Sequence, residues 1–139
     1  MIKAITFDLD GVYFVNGKTN FIRALVNLGV PEEKTKLVFL QSDQMNKFYK
    51  TGKMSDKGYW SWAIKEWGLN MTVEAIIRLL INGYEINPQV VRTVKQLRKN
   101  GYKTLICSNN FPARVNGLQH MFSLMKLAPR SLQKRYLKN

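Results

Sequence analysis

Apolar residues follow two rhythms along this chain. Near the start, Lys3 to Leu9 is a short, mostly apolar, β-prone run, the pattern of a strand buried on both faces. Helical spacing then takes over. Phe21, Leu25 and Leu28 predict a helix stopped by Gly29, and Pro31 opens a second helix running to about Tyr49. Ser55 caps a third that ends near Gly68, and Thr72 a fourth that reaches about Leu80. Between the strand and these helices, Asn16-Gly17 reads as a tight hairpin turn.

The next unit has sharper boundaries. In INPQVVRTVKQLRKNGYK, Asn87 is a natural cap and Pro88 a natural first helical residue. Val90, Val91, Val94 and Leu97 form one apolar face, and Gly101 ends the helix. Arg92, Lys95, Arg98 and Lys99 fall largely on the opposite, solvated side. A second β-prone run, Lys103 to Cys107, stops at Ser108-Asn109-Asn110. Two strands, each ending in a polar cluster and the second preceded by a helix, predict an α/β fold with a parallel sheet and a helical insertion between the strands. Ligands of open α/β sheets bind at the C-terminal ends of strands, where both polar clusters sit.

Composition narrows the class. With 139 residues, 45% hydrophobic and 22% charged, the chain suits one globular core, or a modest core with a subdomain. No stretch of 18 consecutive apolar residues occurs and the N-terminus lacks a cleavage-site pattern, so a cytoplasmic location without membrane contact is expected. Cys107 is the sole cysteine, which excludes an intrachain disulfide and a thiolate zinc site and suggests a buried apolar filler. Asn70-Met71-Thr72 matches a glycosylation sequon, but Thr72 reads better as a helix cap.

Charge is unevenly spread. Residues 1 to 85 carry a net +2, and residues 86 to 139 carry +11, with no acid after Glu85. Such a basic stretch can attract phosphate or nucleic acid. Against that background, Asp8 and Asp10 in FDLDGVYF stand out. An EF-hand alignment fails, because it puts Thr6 at the first ligand position and Gly17 where the bidentate Glu belongs. A phosphate-cradling P-loop fails as well, since five residues rather than four separate Gly11 from Gly17.

Phosphoryl chemistry fits better. FDLDGV resembles the first motif of the haloacid dehalogenase superfamily and ICSNN its second, while YKTGKMSDKGYWSWAIKEWG is similar to cap segments of its phosphatase, phosphoglucomutase and dehalogenase branch. The resemblance implies a Rossmann-like core in residues 1–15 and 86–122, a helical cap inserted as residues 16–85, and a basic tail, 123–139, of uncertain structure. It further implies Asp8 as nucleophile and magnesium ligand, with Asp10 as acid/base and, through its backbone carbonyl, a second Mg2+ ligand. Gly11, Ser108 and Asn109 would bind the phosphate of a small phosphorylated metabolite.

The spacing is chemically apt in its own right. A strand-end carboxylate can attack phosphorus once a divalent cation offsets anion repulsion, and a second carboxylate two residues later can reach the leaving-group oxygen.

The resemblance thins toward the C-terminus. Lys126, the candidate for the family's third motif, lies only 18 residues past Ser108, and no acidic residue is left for the fourth. Impaired activity in a truncated chain is therefore expected, with the helical insertion and tail, or else a second copy or partner chain, covering an incomplete core.

The alternative is a non-enzymatic binding protein for nucleic acid or an acidic partner, in which aromatics interleaved with lysines around Trp60, Trp62 and Trp67 would stack on bases; their helical spacing points instead to a core. His120, the sole histidine, reads as a surface or partly buried helix residue.

Overall fold

The computed structural model describes residues 4–124, so Lys126 and most of the predicted basic tail lie outside the described residues. Two compact units emerge. Of the described residues, the first comprises 4–15, Glu85–Ser108 and 118–124; the second comprises Asn16–Tyr84 and Asn109–Gly117.

In the first unit, strand β1 (Ala4–Phe7) pairs in parallel with β4 (Lys103–Ile106), Ala4 opposite Lys103 and Phe7 opposite Ile106. The two-residue strands β2 (Phe14–Val15) and β3 (Glu85–Ile86) pair antiparallel. Asn87 then donates its amide to the Tyr13 carbonyl at 2.9 Å. Helix α5 (Pro88–Lys99) starts as the sequence predicts, with the Asn87 side chain accepting from the amides of Gln89 and Val90 and Pro88 at its first turn. Val94 is its most buried residue, at 3% exposure. Gly101 follows with φ 86°, the left-handed conformation that stops the helix.

Two expectations fail in this unit. The first strand is not buried on both faces: Ile5 and Phe7 are half-buried, whereas Ala4 and Thr6, with Lys103 and Leu105 beside them, are exposed. An apolar run reports strand propensity, not how many of its faces are covered. Cys107 continues the same exposed face and is no buried filler.

The second unit is helical. Helix α1 (Gly17–Asn27) buries Phe21 and Leu25 completely. Leu28 lies one residue past its end and is 52% exposed, so it does not join the apolar face. The long second helix is also broken. Helix α2 (Glu32–Lys36) follows Pro31 and runs into a π-helical segment, Leu37–Gln41; Ser42 then turns extended before a second such segment, Gln44–Tyr49. Ser42 causes the break locally, since its hydroxyl donates to the Val38 carbonyl at 2.6 Å and accepts from the Met45 amide at 3.1 Å.

Helices α3 (Asp56–Trp67) and α4 (Val73–Asn82) agree with their predicted caps, Ser55 accepting from the Gly58 amide and Thr72 from the Ala75 amide. Helix α6 (Pro112–Leu124) begins in this unit.

Aromatic packing forms the second unit's core. Trp60 is fully buried, with ring centroids of Tyr59, Tyr49 and Phe111 at 5.0, 6.1 and 6.1 Å. Tyr49 stacks on Tyr59 at 4.5 Å with an interplanar angle of 5°. Phe21 meets Phe39 edge-on at 4.8 Å. Trp60 is wholly and Trp67 almost wholly inside, so these two rings are not a platform for stacking bases, while Trp62 is half-buried.

The predicted hairpin at Asn16-Gly17 is absent. Asn16 adopts a left-handed conformation, φ 62°, and Gly17 opens α1 directly. The residue pair does turn the chain, but the strand it leaves pairs with β3, far along the sequence.

Candidate active site

The loop after β1 is small and tightly closed. Leu9 is 5% exposed and anchors it between Asp8, which is exposed, and Asp10, which is half-buried. The Gly11 amide donates to the Phe14 carbonyl at 2.7 Å, and the Phe14 amide to the Leu9 carbonyl at 2.9 Å. Tyr13 and Phe14, at 2% and 0% exposure, fasten the far side of the loop. Gly11 sits at φ 84°; a Cβ there would meet nothing within 4 Å, so backbone conformation rather than space demands glycine. The Asp8 Oδ1 accepts the Leu9 amide at 2.6 Å, which restricts where the carboxylate points.

The sheet aligns the second cluster with the first. The Cys107 amide donates to the Phe7 carbonyl at 3.0 Å, extending the ladder one step past the paired strands. Asp8 is therefore in register with Cys107, and half-buried Ser108 follows one residue later. Asp8, Asp10, Gly11 and Ser108 all belong to the first unit, at the C-terminal ends of neighbouring parallel strands. Asn109 is assigned with the second unit and is exposed.

Burial raises the Tyr13 phenol above its ordinary pKa, an effect the Arg98 charge partly offsets. Arg98 itself donates from Nε to the Thr104 hydroxyl at 2.7 Å. His120 is exposed on α6.

A family model for haloacid dehalogenase-like hydrolases matches residues 2–133. The chain belongs to this family. Similar solved structures include a haloacid dehalogenase family enzyme of Bacteroides thetaiotaomicron in complex with magnesium and inorganic phosphate, at TM-score 0.65 and 19% identity, covering 86% of this chain and 59% of that one. Its magnesium complex matches at TM-score 0.64 and 19% identity, covering 86% and 58% of the two chains. This chain thus spans under two thirds of the length of these enzymes. No curated protein matches it. The likeness establishes the Rossmann-like α/β architecture, and the match over residues 2–133 establishes the family.

For a haloacid dehalogenase-like hydrolase, the donor set can be weighed against magnesium. Among the described residues, no group of three or more His, Cys, Asp or Glu gathers to hold a metal. Asp8 and Asp10 nevertheless suit this hard cation, which takes oxygen ligands, commonly binds one or two carboxylates and keeps several waters.

The second unit contains a polar feature that sequence reasoning missed. Asp56 Oδ1 accepts the Ala113 amide at 3.2 Å, 57 residues away, and also accepts the Tyr49 hydroxyl. In the sequence Asp56 is indistinguishable from any acidic residue in a first helical turn.

Proposed function

We propose that this chain carries the nucleophile half of a magnesium-dependent phosphatase site acting on a small phosphorylated metabolite of the cytoplasm, with residues 16–85 serving as its helical cap. The observation that carries this reading is the pair Asp8 and Asp10 bracketing buried Leu9 at the end of β1, with Ser108 just past the in-register end of β4.

Asp8, the more exposed carboxylate, attacks phosphorus and forms an aspartyl phosphate as the ester oxygen departs. Asp10 gives its proton to that oxygen, then takes one from the water that hydrolyses the intermediate. Ser108 and the amides of the closed loop donate to the phosphoryl oxygens as charge develops, joined by Asn109. The Asp8 carboxylate and the Asp10 backbone carbonyl would hold Mg2+, which would supply charge neutralisation at the phosphoryl group and leave the Asp10 side chain free for proton transfer.

Turnover by the described residues alone is expected to be slow, since no group of three or more acidic or other metal-ligating side chains gathers among them. The test is hydrolysis of an aryl phosphate with and without Mg2+, alongside Asp8→Asn. Magnesium-dependent release that falls by orders of magnitude in the variant is the expected result. Full activity of Asp8→Asn would sink the assignment.

A further inference from the structure

Strand β4 ends at Ile106 and regular structure resumes only at Pro112, so the stretch holding Asn109 has neither ladder nor helix of its own. Phe111 and the start of α6, by contrast, are firmly held. Phe111 is fully buried, its ring 4.9 Å from Tyr49, and the Arg114 guanidinium lies 4.4 Å from the Phe111 ring centroid. Asp56 adds a polar tie. Its Oδ1 accepts the amide of Ala113, the second residue of α6, one of the donors that a helix start leaves without an intrahelical acceptor. The same oxygen accepts the Tyr49 hydroxyl, and that hydroxyl accepts the Trp60 indole N–H at 2.9 Å. The carboxylate is thus oriented by a buried aromatic pair, and its negative charge faces the positive end of α6.

We infer that Asp56 is a positioning residue for the phosphate-binding segment: by fixing the start of α6 it sets where Asn109 and its backbone stand. This rests on the phosphatase reading above, and it assigns a role to a residue of the helical insertion that touches no substrate. Tyr49 acts one step further back, holding the carboxylate in the orientation that reaches Ala113.

The experiment uses the full chain with inorganic phosphate and Mg2+, followed through backbone amide resonances, with Asp56→Ala, Asp56→Asn and Tyr49→Phe. Asp56→Ala should remove the hydrogen-exchange protection of the Ala113 amide, shift the Asn109 and Asn110 resonances, and weaken phosphate binding about tenfold. Asp56→Asn keeps an oxygen acceptor and should restore affinity to within about threefold of wild type. Should Asp56→Ala fail to fold, Tyr49→Phe carries the test: it keeps the ring stack, and a weakening of about threefold with shifted Asn109 resonances is expected. Unchanged phosphate affinity in folded Asp56→Ala, or in Tyr49→Phe where that stands alone, overturns the inference and leaves the phosphatase reading intact. A wild-type chain that binds no phosphate with Mg2+ overturns both.

Discussion

Replacing Gly17 by alanine probes the junction where the chain enters α1. A Cβ at this position would lie 2.2 to 2.3 Å from three ring carbons of Tyr84, far inside the ~3.5–4.0 Å of ordinary carbon contact. Tyr84 has little room to retreat. It is 3% exposed, the Arg114 guanidinium sits 5.5 Å from its ring centroid, and the Gly83 carbonyl just before it accepts from Asn20 Nδ2 at 2.9 Å.

Overpacking of this kind costs about 1–3 kcal/mol, while removing a glycine from the unfolded chain returns about 0.4–1 kcal/mol, so the steric term wins. A net loss of about 1–2 kcal/mol corresponds to a drop of roughly 3–10 °C in Tm for a chain of this size. Thermal unfolding followed by far-ultraviolet circular dichroism reads it directly. A Tyr84→Leu background should abolish most of the penalty, because the ring that clashes is gone. An unchanged or raised Tm in Gly17→Ala, or an equal penalty with and without the Tyr84 ring, would refute the packing argument.

Packing, capping and burial elsewhere in the fold carry further expectations. Trp60→Ala should destabilise by about 3–5 kcal/mol in denaturant titration, since it empties the centre of the aromatic core. Asn87→Ala should cost about 1 kcal/mol in the same assay, because two amides at the start of α5 lose their acceptor. Burial raises the phenols of Tyr49 and Tyr59 well above their ordinary pKa, and for Tyr49 the Asp56 contact adds to the effect. With folded values above unfolded ones, that stability is fully present below about pH 10 and lost as pH rises beyond it, at up to about 1.4 kcal/mol per pH unit for each ring. Stability measured against pH should therefore decline above about pH 10, and Tyr59→Phe should make the decline shallower.

The sequence carried the parts of this fold that depend on local rules. Caps at Ser55, Thr72 and Asn87 and stops at Gly68 and Gly101 are chemical signals confined to a few residues, and each appears where expected. The parallel pairing of the two strands and the register that sets Asp8 beside Cys107 agree with the expected α/β order.

Long-range facts were hidden. Nothing near Leu28 indicates that the helix stops one residue earlier, and nothing near Ser42 indicates that its hydroxyl divides a helical run. The exposure of Thr6, Leu105 and Cys107 depends on what lies over the sheet, which no periodicity in these strands encodes. Asp8, Asp10 and Ser108 could be placed at strand ends because each follows a β-prone run. Asp56 could not be placed, because its partner is Ala113.

Phe111 gives the second unit a consequence in time. Its ring belongs to the same core as Tyr49 and Trp60, yet it is encoded after β3, α5 and β4 of the first unit have been written. During synthesis, helices α1 to α4 emerge with a gap in their core that only a later part of the chain can fill. The nascent helical unit must wait for the strand that ends at Ile106 to be translated before it can close, which ties completion of one unit to production of the other.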